Sequence, residues 1–188
     1  GIVSPLTRSP SLALGTSELS LIELTGAYAV FANGGRGVLP FGILQIEDDL
    51  GNVIYRRTGG GTGQIVAQKN VLLMDEMLEE VVISGTGRNA RFSGQEKGKT
   101  GTSQRFRDAW FVGYVNNLVG GVWVGNDNDR SMKKVSGGGL PAFIWRDLMR
   151  YSRSQLNKIE FEQEKKQIRL QKEKSFWNRF IDIIIPNK

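Results

Sequence analysis

The chain has 188 residues, 39% hydrophobic and 23% charged, with a net charge of +6; this suits one folded domain that buries about 70% of its unfolded surface. With no Cys there can be no disulfide, thiol nucleophile or zinc–thiolate site, and with no His there is no Ser-His-Asp triad and no imidazole base or ligand. Acid–base chemistry is left to Lys, Asp, Glu, Tyr and hydroxyl groups.

Residues 1–15, punctuated by Pro, Ser and Gly, read as a loop. Ser20 and Glu23 then stand at capping-box spacing, which predicts a helix with Leu24, Ala27, Tyr28 and Phe31 on one face, ended by Asn33-Gly34-Gly35. "ILQIED" and "NVIYRR" around Asp48 to Gly51 predict a hairpin. Thr58 to Gln64, "TGGGTGQ", is expected to be a flexible connection. A second helix follows, with Met74, Leu78 and Val81 inward and Asp75, Glu76, Glu79 and Glu80 on a solvated face, stopped by Gly85. Four acids close together can suggest a metal site, but a wet helix face accounts for them, and no metal is expected.

"GQEKGKTGTSQ" reads as an extended edge strand. "DAWFVGYV" and "LVGGVWVGN" follow as a hairpin turned at Asn116-Asn117, where two asparagines suit positive-φ positions. After a Gly-rich loop, "LPAFIWRDLMRYS" predicts a helix with Pro141 in its first turn. The order helix, hairpin, helix, strand, hairpin, helix makes the fold class α+β, an antiparallel sheet covered by helices.

The expected organisation is a main part over 1–150 and a tail over 151–188. The tail holds +4 of the charge, nine Lys/Arg against five Asp/Glu, and reads as an exposed helix or disordered. No recognition motif accompanies that excess, so no nucleic-acid partner is expected. At the end of the tail, Trp177, Phe180, Ile181 and Ile184 share a helical face that could rest on a membrane surface or partner, or dock on the body. No apolar run reaches the ~18 residues of a membrane span, and no signal pattern opens the chain, so no anchor or targeting segment is expected within it.

Chemistry concentrates at Lys99-Thr100-Gly101-Thr102. A phosphate loop would need Gly where Ser93 stands, five residues before Gly98, and would have to open a helix rather than precede a strand. Gly85 to Ala90, "GTGRNA", spells G-x-G-x-x-A, but it follows a helix and not a strand. The reading that fits is a substrate-binding edge strand. Gly101 lets another backbone approach, Thr100 and Thr102 hydroxyls bind a carboxylate, Lys99 is expected to add positive charge on their face, and a backbone N–H can hold an oxyanion. An ordinary surface strand bearing Lys and Thr remains the alternative for these four residues alone.

The blocks "PSLALGTSELSLIELTGAYAVFANGG", "GTGRNARF", "GKTGTSQRFRDAWFVGYVNNLVGGVWVGND" and "GGGLPAFIWRDLM", in that order, resemble class A penicillin-binding proteins over residues 2–150, the C-terminal part of their transpeptidase domain. The K-T-G element belongs with S-x-x-K and S-x-N in that group. The resemblance implies a partial penicillin-binding-protein/β-lactamase-like fold without a cofactor. It also implies a serine D,D-transpeptidase acting on D-Ala-D-Ala stem peptides of peptidoglycan and acylated by β-lactams. Lys99 would be the catalytic cation supporting the carboxylate and nearby protonation states. Thr100, Gly101 and Thr102 would bind substrate, with the Thr102 amide as an oxyanion donor. A place on the periplasmic face of the bacterial inner membrane and a glycosyltransferase domain upstream are implied as well.

The other two motifs are missing upstream of Lys99. Ser4, Ser9, Ser11, Ser17, Ser20, Ser84 and Ser93 all lack a Lys three residues on. The sole S-x-x-K, Ser131 to Lys134, lies downstream and reads as surface; Tyr114-Val115-Asn116 mimics a second-motif variant but runs into the hairpin turn. The nucleophile is therefore expected outside this chain, on an upstream part of the same protein. An inactive remnant or interaction module with the same scaffold is the alternative, and a phosphate-binding protein a weaker one.

Overall fold

The structure, a computed structural model, describes the backbone of residues 1–184 and the side chains of residues 1–171. It divides into two compact units, Gly1–Met149 and Arg150–Lys188.

In the first unit, Ser20 caps α1 (Leu21–Ala32) as its spacing predicts. Its hydroxyl accepts from the Glu23 amide, and the Glu23 carboxylate accepts from the Ser20 amide. That carboxylate also accepts from the Ser20 and Ser4 hydroxyls and from the amides of Val3 and Ser4, which staples the N-terminal segment to the helix. These bonds hold the Glu23 carboxyl well below the usual carboxylate range. The expected inward face is only half-buried, and the buried residue of α1 is Val30. The reason is that α1 is flanked on more than one side: Leu21 and Thr25 close on Gly121, while Pro40 closes on Gly26.

β1 (Arg36–Val38) pairs antiparallel with β4 (Gly61–Gln64), so the glycine-rich stretch expected to be a flexible connection is a strand. Glycines erase the side-chain alternation that marks a strand. Across the ladder in β1 a glycine is required by contact, since a Cβ on Gly37 would collide with the Thr62 side chain. β2 (Gln45–Glu47) and β3 (Val53–Arg56) form the predicted hairpin. Its turn is held by Asp48 Oδ1, which accepts from the amides of Leu50 and Asn52, and Gly51 sits at φ 82°.

α2 (Gln68–Ile83) buries Val71, Leu78 and Val82. Its packed face is rotated from the predicted one and includes Asp75, which was expected on the solvated side. Asp75 accepts a hydrogen bond from the Tyr114 hydroxyl and pairs with Lys97 at 3.7 Å. The following "GTGRNA" stretch contains a 3-10 turn, Arg88–Ala90, and no strand precedes it.

β5 (Lys97–Thr102), β6 (Asp108–Val115) and β7 (Leu118–Gly125) make a three-stranded antiparallel sheet in the order β5-β6-β7. The β6–β7 turn needs one left-handed residue, Asn116 at φ 54°, and Asn117 does not share it. α3 (Leu140–Ile184) begins with Pro141 in its first turn. Ala142, Trp145 and Met149 of α3 join Phe111, Val115, Val122, Val82 and Ala90 in the core on one sheet face. Trp145 is fully buried, lies 5.0 Å from the Phe111 ring between centroids, and donates its indole N–H to the Gly120 carbonyl at 3.0 Å.

In the second unit the chain is helical through Ile184, and residues 156–171 are exposed. The side chains of Trp177, Phe180, Ile181 and Ile184, read in sequence as a possible docking face, lie outside the described residues.

Candidate active site

β5 is an outer strand with one edge paired to β6 and the other open. The Ser103 amide donates to the Asp108 carbonyl at 2.9 Å. In an antiparallel ladder, hydrogen-bonded and non-bonded pairs alternate. Lys99, Gly101 and Ser103 therefore turn their N–H and C=O groups toward β6, while Gly98, Thr100 and Thr102 turn theirs to the open edge. No backbone hydrogen bond from elsewhere in the described residues occupies the Thr100 or Thr102 amide.

Strand alternation also sorts the side chains. Thr100 and Thr102 stand opposite Phe111 and Ala109 on the face that α3 covers. Lys99 stands opposite Val112, on the other face, which corrects the expectation that it shares a face with the two threonines. Its ammonium instead reaches the Thr100 carbonyl at 3.0 Å. That carbonyl points out of the open edge, so the positive charge comes to the edge around the backbone.

Two loops hold the threonines. Thr100 Oγ1 and Thr86 Oγ1 are 2.7 Å apart. Thr102 Oγ1 accepts from the Gly137 amide at 3.0 Å, which leaves its own O–H proton to donate to a ligand. Gly137 lies so close over β5 and β6 that a Cβ there would fall 2.2 Å from the Trp110 carbonyl oxygen and 2.8 Å from the Gly101 amide nitrogen. Asn89 fixes the same loop by donating to the Gly138 carbonyl at 2.7 Å. Gly101 is tolerant by comparison, since its Cβ would meet Trp110 Cβ at 3.2 Å.

Two supports went unread in the sequence. Glu96 is 1% exposed and sits directly before β5. Its carboxylate accepts from the Ser93 amide at 2.6 Å, the Ser93 hydroxyl and the Gly94 amide at 2.9 Å, clamping the turn from which the strand emerges. Burial pushes this carboxyl up, but the hydrogen bonds outweigh it and hold it below its ordinary value. The one local signal was Ser93 three residues before Glu96. The second support is Asp75 with Tyr114 and Lys97, which ties α2 to the start of β5; those residues are far apart in sequence, and no spacing announces them. Burial, with the bond to Asp75 and its negative charge, raises the Tyr114 phenol.

The sequence look-alikes fall away. Gly98-Lys99-Thr100 is strand rather than a loop opening a helix, which removes the phosphate-loop reading. Ser131 is exposed in the loop after β7. Tyr114 spends its hydroxyl on Asp75, and Asn116 is the hairpin turn. Among the described residues no group of acids could hold a metal ion, and no helix is long and apolar enough to cross a membrane.

Residues 6–150 match the penicillin binding protein transpeptidase domain. The chain belongs to that family. It is 41% identical to penicillin-binding protein 1A of Aquifex aeolicus (strain VF5) over 142 residues, covering 74% of this chain and 19% of that protein. Against penicillin-binding protein 1A of Neisseria lactamica it is 36% identical over 156 residues, covering 79% of this chain and 20% of that one. The chain thus spans about a fifth of the length of these relatives. Its α+β fold matches the crystal structure of penicillin-binding protein 1A from Haemophilus influenzae with a TM-score of 0.65 and 23% identity, covering 74% of this chain and 27% of that one. PonA1 from Mycobacterium tuberculosis, in its complex with penicillin V, matches with a TM-score of 0.63 and 26% identity, covering 73% and 39%. The chain is a portion of a transpeptidase domain of the penicillin-binding protein 1A type.

Proposed function

We propose that this chain supplies one wall of a peptidoglycan D,D-transpeptidase site, whose nucleophilic serine stands on a polypeptide outside it. The observation that carries the reading is the open edge of β5. There the outward Thr102 amide, the Thr102 hydroxyl and the Lys99 ammonium are offered to a ligand by a strand of a transpeptidase-family domain. A stem peptide ending in D-Ala-D-Ala would lie along this edge. Its terminal carboxylate would take the threonine hydroxyls, with Lys99 supplying positive charge. As the serine attacks, the scissile carbonyl gains negative charge, which the Thr102 N–H meets as a fixed donor. Collapse of that intermediate breaks the D-Ala–D-Ala bond, and the terminal D-Ala leaves as the free amino acid. The acyl group then passes from serine to an amine of a neighbouring stem, while a β-lactam, whose ring nitrogen stays tethered after opening, stops at the acyl stage. Lys99 is the catalytic residue of this set, and Thr100, Gly101 and Thr102 bind substrate. Residues 1–150 act as this wall, and residues 151–188 are a separate tail. The site would work on the periplasmic face of the inner membrane, anchored by other parts of the protein.

The test is labelling with a fluorescent penicillin, with and without the polypeptide carrying S-x-x-K and S-x-N. Label is expected on that polypeptide only when this chain is present, and Lys99→Ala or Thr102→Val in this chain should slow it. Labelling of the chain by itself, abolished by Ser131→Ala, would overturn the proposal. No label in the combined sample would point instead to an inactive scaffold.

A further inference from the structure

The stretch Gly85 to Ala90, "GTGRNA", has no dinucleotide to hold, yet it reaches both threonines of β5. Its residues divide by burial. Gly87 and Ala90 are buried, and Ala90 belongs to the core, while Thr86 and Asn89 between them are exposed. The Gly87 amide donates to the Val81 carbonyl at 2.8 Å, which ties the segment to the end of α2. Gly87 also has no room for a side chain, since a Cβ there would fall 3.1 Å from the Val81 carbonyl oxygen and 3.2 Å from Phe111 Cε2. One side of the segment is thereby pinned, and the polar side chains are left to work on the other.

Each of them serves one threonine. Thr86 Oγ1 lies 2.7 Å from Thr100 Oγ1. A hydroxyl has one proton to give and two positions at which to accept. When Thr100 gives its proton to a carboxylate, the contact with Thr86 survives only if Thr86 is the donor. Thr86 then fixes the direction of the Thr100 O–H and polarises it. Asn89 acts through the loop beyond β7. Its Nδ2 donates to the Gly138 carbonyl at 2.7 Å, and the adjacent Gly137 amide donates to Thr102 Oγ1 at 3.0 Å. Gly138 in turn closes on the segment itself, because a Cβ there would sit 2.2 Å from the Thr86 carbonyl oxygen. Both hydroxyls are left with a proton to donate, and both supports come from six residues.

We infer that Thr86 and Asn89 are positioning residues for the carboxylate of the acyl donor, Thr86 through the Thr100 hydroxyl and Asn89 through the Gly137–Gly138 loop and the Thr102 hydroxyl. This rests on the transpeptidase reading. Neither residue touches the reacting atoms; each aims a donor that does the binding. Hydrogen bonds to an ionised acceptor are roughly twice as strong as neutral ones, so two aimed hydroxyls favour a donor that ends in a free carboxylate over one that ends in an ester. The segment thus sets a preference for the acid.

The experiment measures acylation by a penicillin and by its methyl ester, in the complex of this chain with the polypeptide bearing S-x-x-K and S-x-N. Thr86→Val should lower the ratio of the acid rate to the ester rate about tenfold, and Thr86→Ser, which keeps the hydroxyl, should restore it. Added to Thr100→Val, Thr86→Val should lower the ratio no further, as for a residue that acts through another. Asn89→Ala should lower the ratio in the same direction and add nothing to Thr102→Val. If Asn89→Ala loosens the loop and slows both compounds together, the Thr86 variants, at an exposed position, still decide. Equal slowing of acid and ester by Thr86→Val would make the segment structural only and overturn the inference. Failure of Ser to restore the ratio, or effects of Thr86→Val and Thr100→Val that multiply, would overturn it as well. The unchanged chain separates the two proposals. No label in its complex removes the transpeptidase reading and this inference with it, whereas label with a ratio that Thr86→Val does not move removes this inference alone.

Discussion

Replacing Gly113 by Ala would drive a methyl group into the strand that carries Lys99 to Thr102. Gly113 faces Gly98 across the β5–β6 ladder, and a Cβ at Gly113 would sit 2.4 Å from the Lys97 carbonyl oxygen, 2.9 Å from Gly98 Cα and 3.2 Å from Trp145 Cζ2. The first two neighbours are backbone and cannot rotate aside. A relaxed carbon–oxygen contact is about 3.3 Å, so β5 must retreat by about 1 Å. Overpacking of this kind costs about 1–3 kcal/mol, which in a chain of this size lowers the melting temperature by roughly 2–12 °C. A displacement near 1 Å at a substrate-binding strand can cost on the order of 100-fold in rate. The assay is thermal unfolding of the variant, then its penicillin acylation rate in complex with the polypeptide bearing the serine. Gly98→Ala should also be destabilising, because its Cβ would meet the fully buried Phe111 ring at 2.7 Å and the Val112 carbonyl oxygen at 3.0 Å, whereas Gly101→Ala should be milder. A Gly113→Ala protein that melts and acylates like the parent would refute the reasoning, since β5 would then not be held at this spacing.

Trp145→Ala should cost about 3–5 kcal/mol in denaturant unfolding, because it empties the centre of the core and removes the indole donor to the Gly120 carbonyl. Tyr114→Phe should cost about 1–2 kcal/mol at neutral pH by removing the donor to Asp75. It should also flatten the alkaline limb of stability: a phenol raised in the folded state contributes stability that is complete below about pH 10 and lost as pH climbs past it. Glu96→Gln should act at the other end. A carboxyl lowered in the folded state contributes stability present above its ordinary value near ~4.3 and lost as pH falls, so the variant's acid unfolding should be shallower, as read by circular dichroism across pH 2–6. Ser131→Ala should leave penicillin labelling of the complex unchanged, because that serine is exposed beyond β7.

Signals that act over a few residues were legible. The capping box at Ser20 and Glu23, the Asp48–Gly51 turn, Pro141 in the first turn of α3 and the edge strand at Lys97–Thr102 were all readable from spacing. Misreadings came where local pattern is silent. Glycine hid β4, because a strand without side chains has no alternation. Asp75 read as solvated because acids usually are, and only the approach of Tyr114 and Lys97 turns its side of α2 inward.

By itself, then, the sequence determined the three main helices, two hairpins and the edge strand at Lys97–Thr102 but not the β1–β4 pair, which chemistries Cys and His would have allowed and do not, and which family its blocks resemble. Those are properties of neighbouring residues and of residue order. The two-residue period of a strand already puts Lys99 and the two threonines on opposite faces; tertiary structure alone decided that the strand carrying them has one edge without a partner strand. It also decided that Glu96 is buried in the turn before β5, that Gly113 must be glycine, and that one sheet edge is charged while the other is bare. Each depends on what lies across a ladder or beneath a strand, and packing between distant segments is not written in the spacing of neighbours.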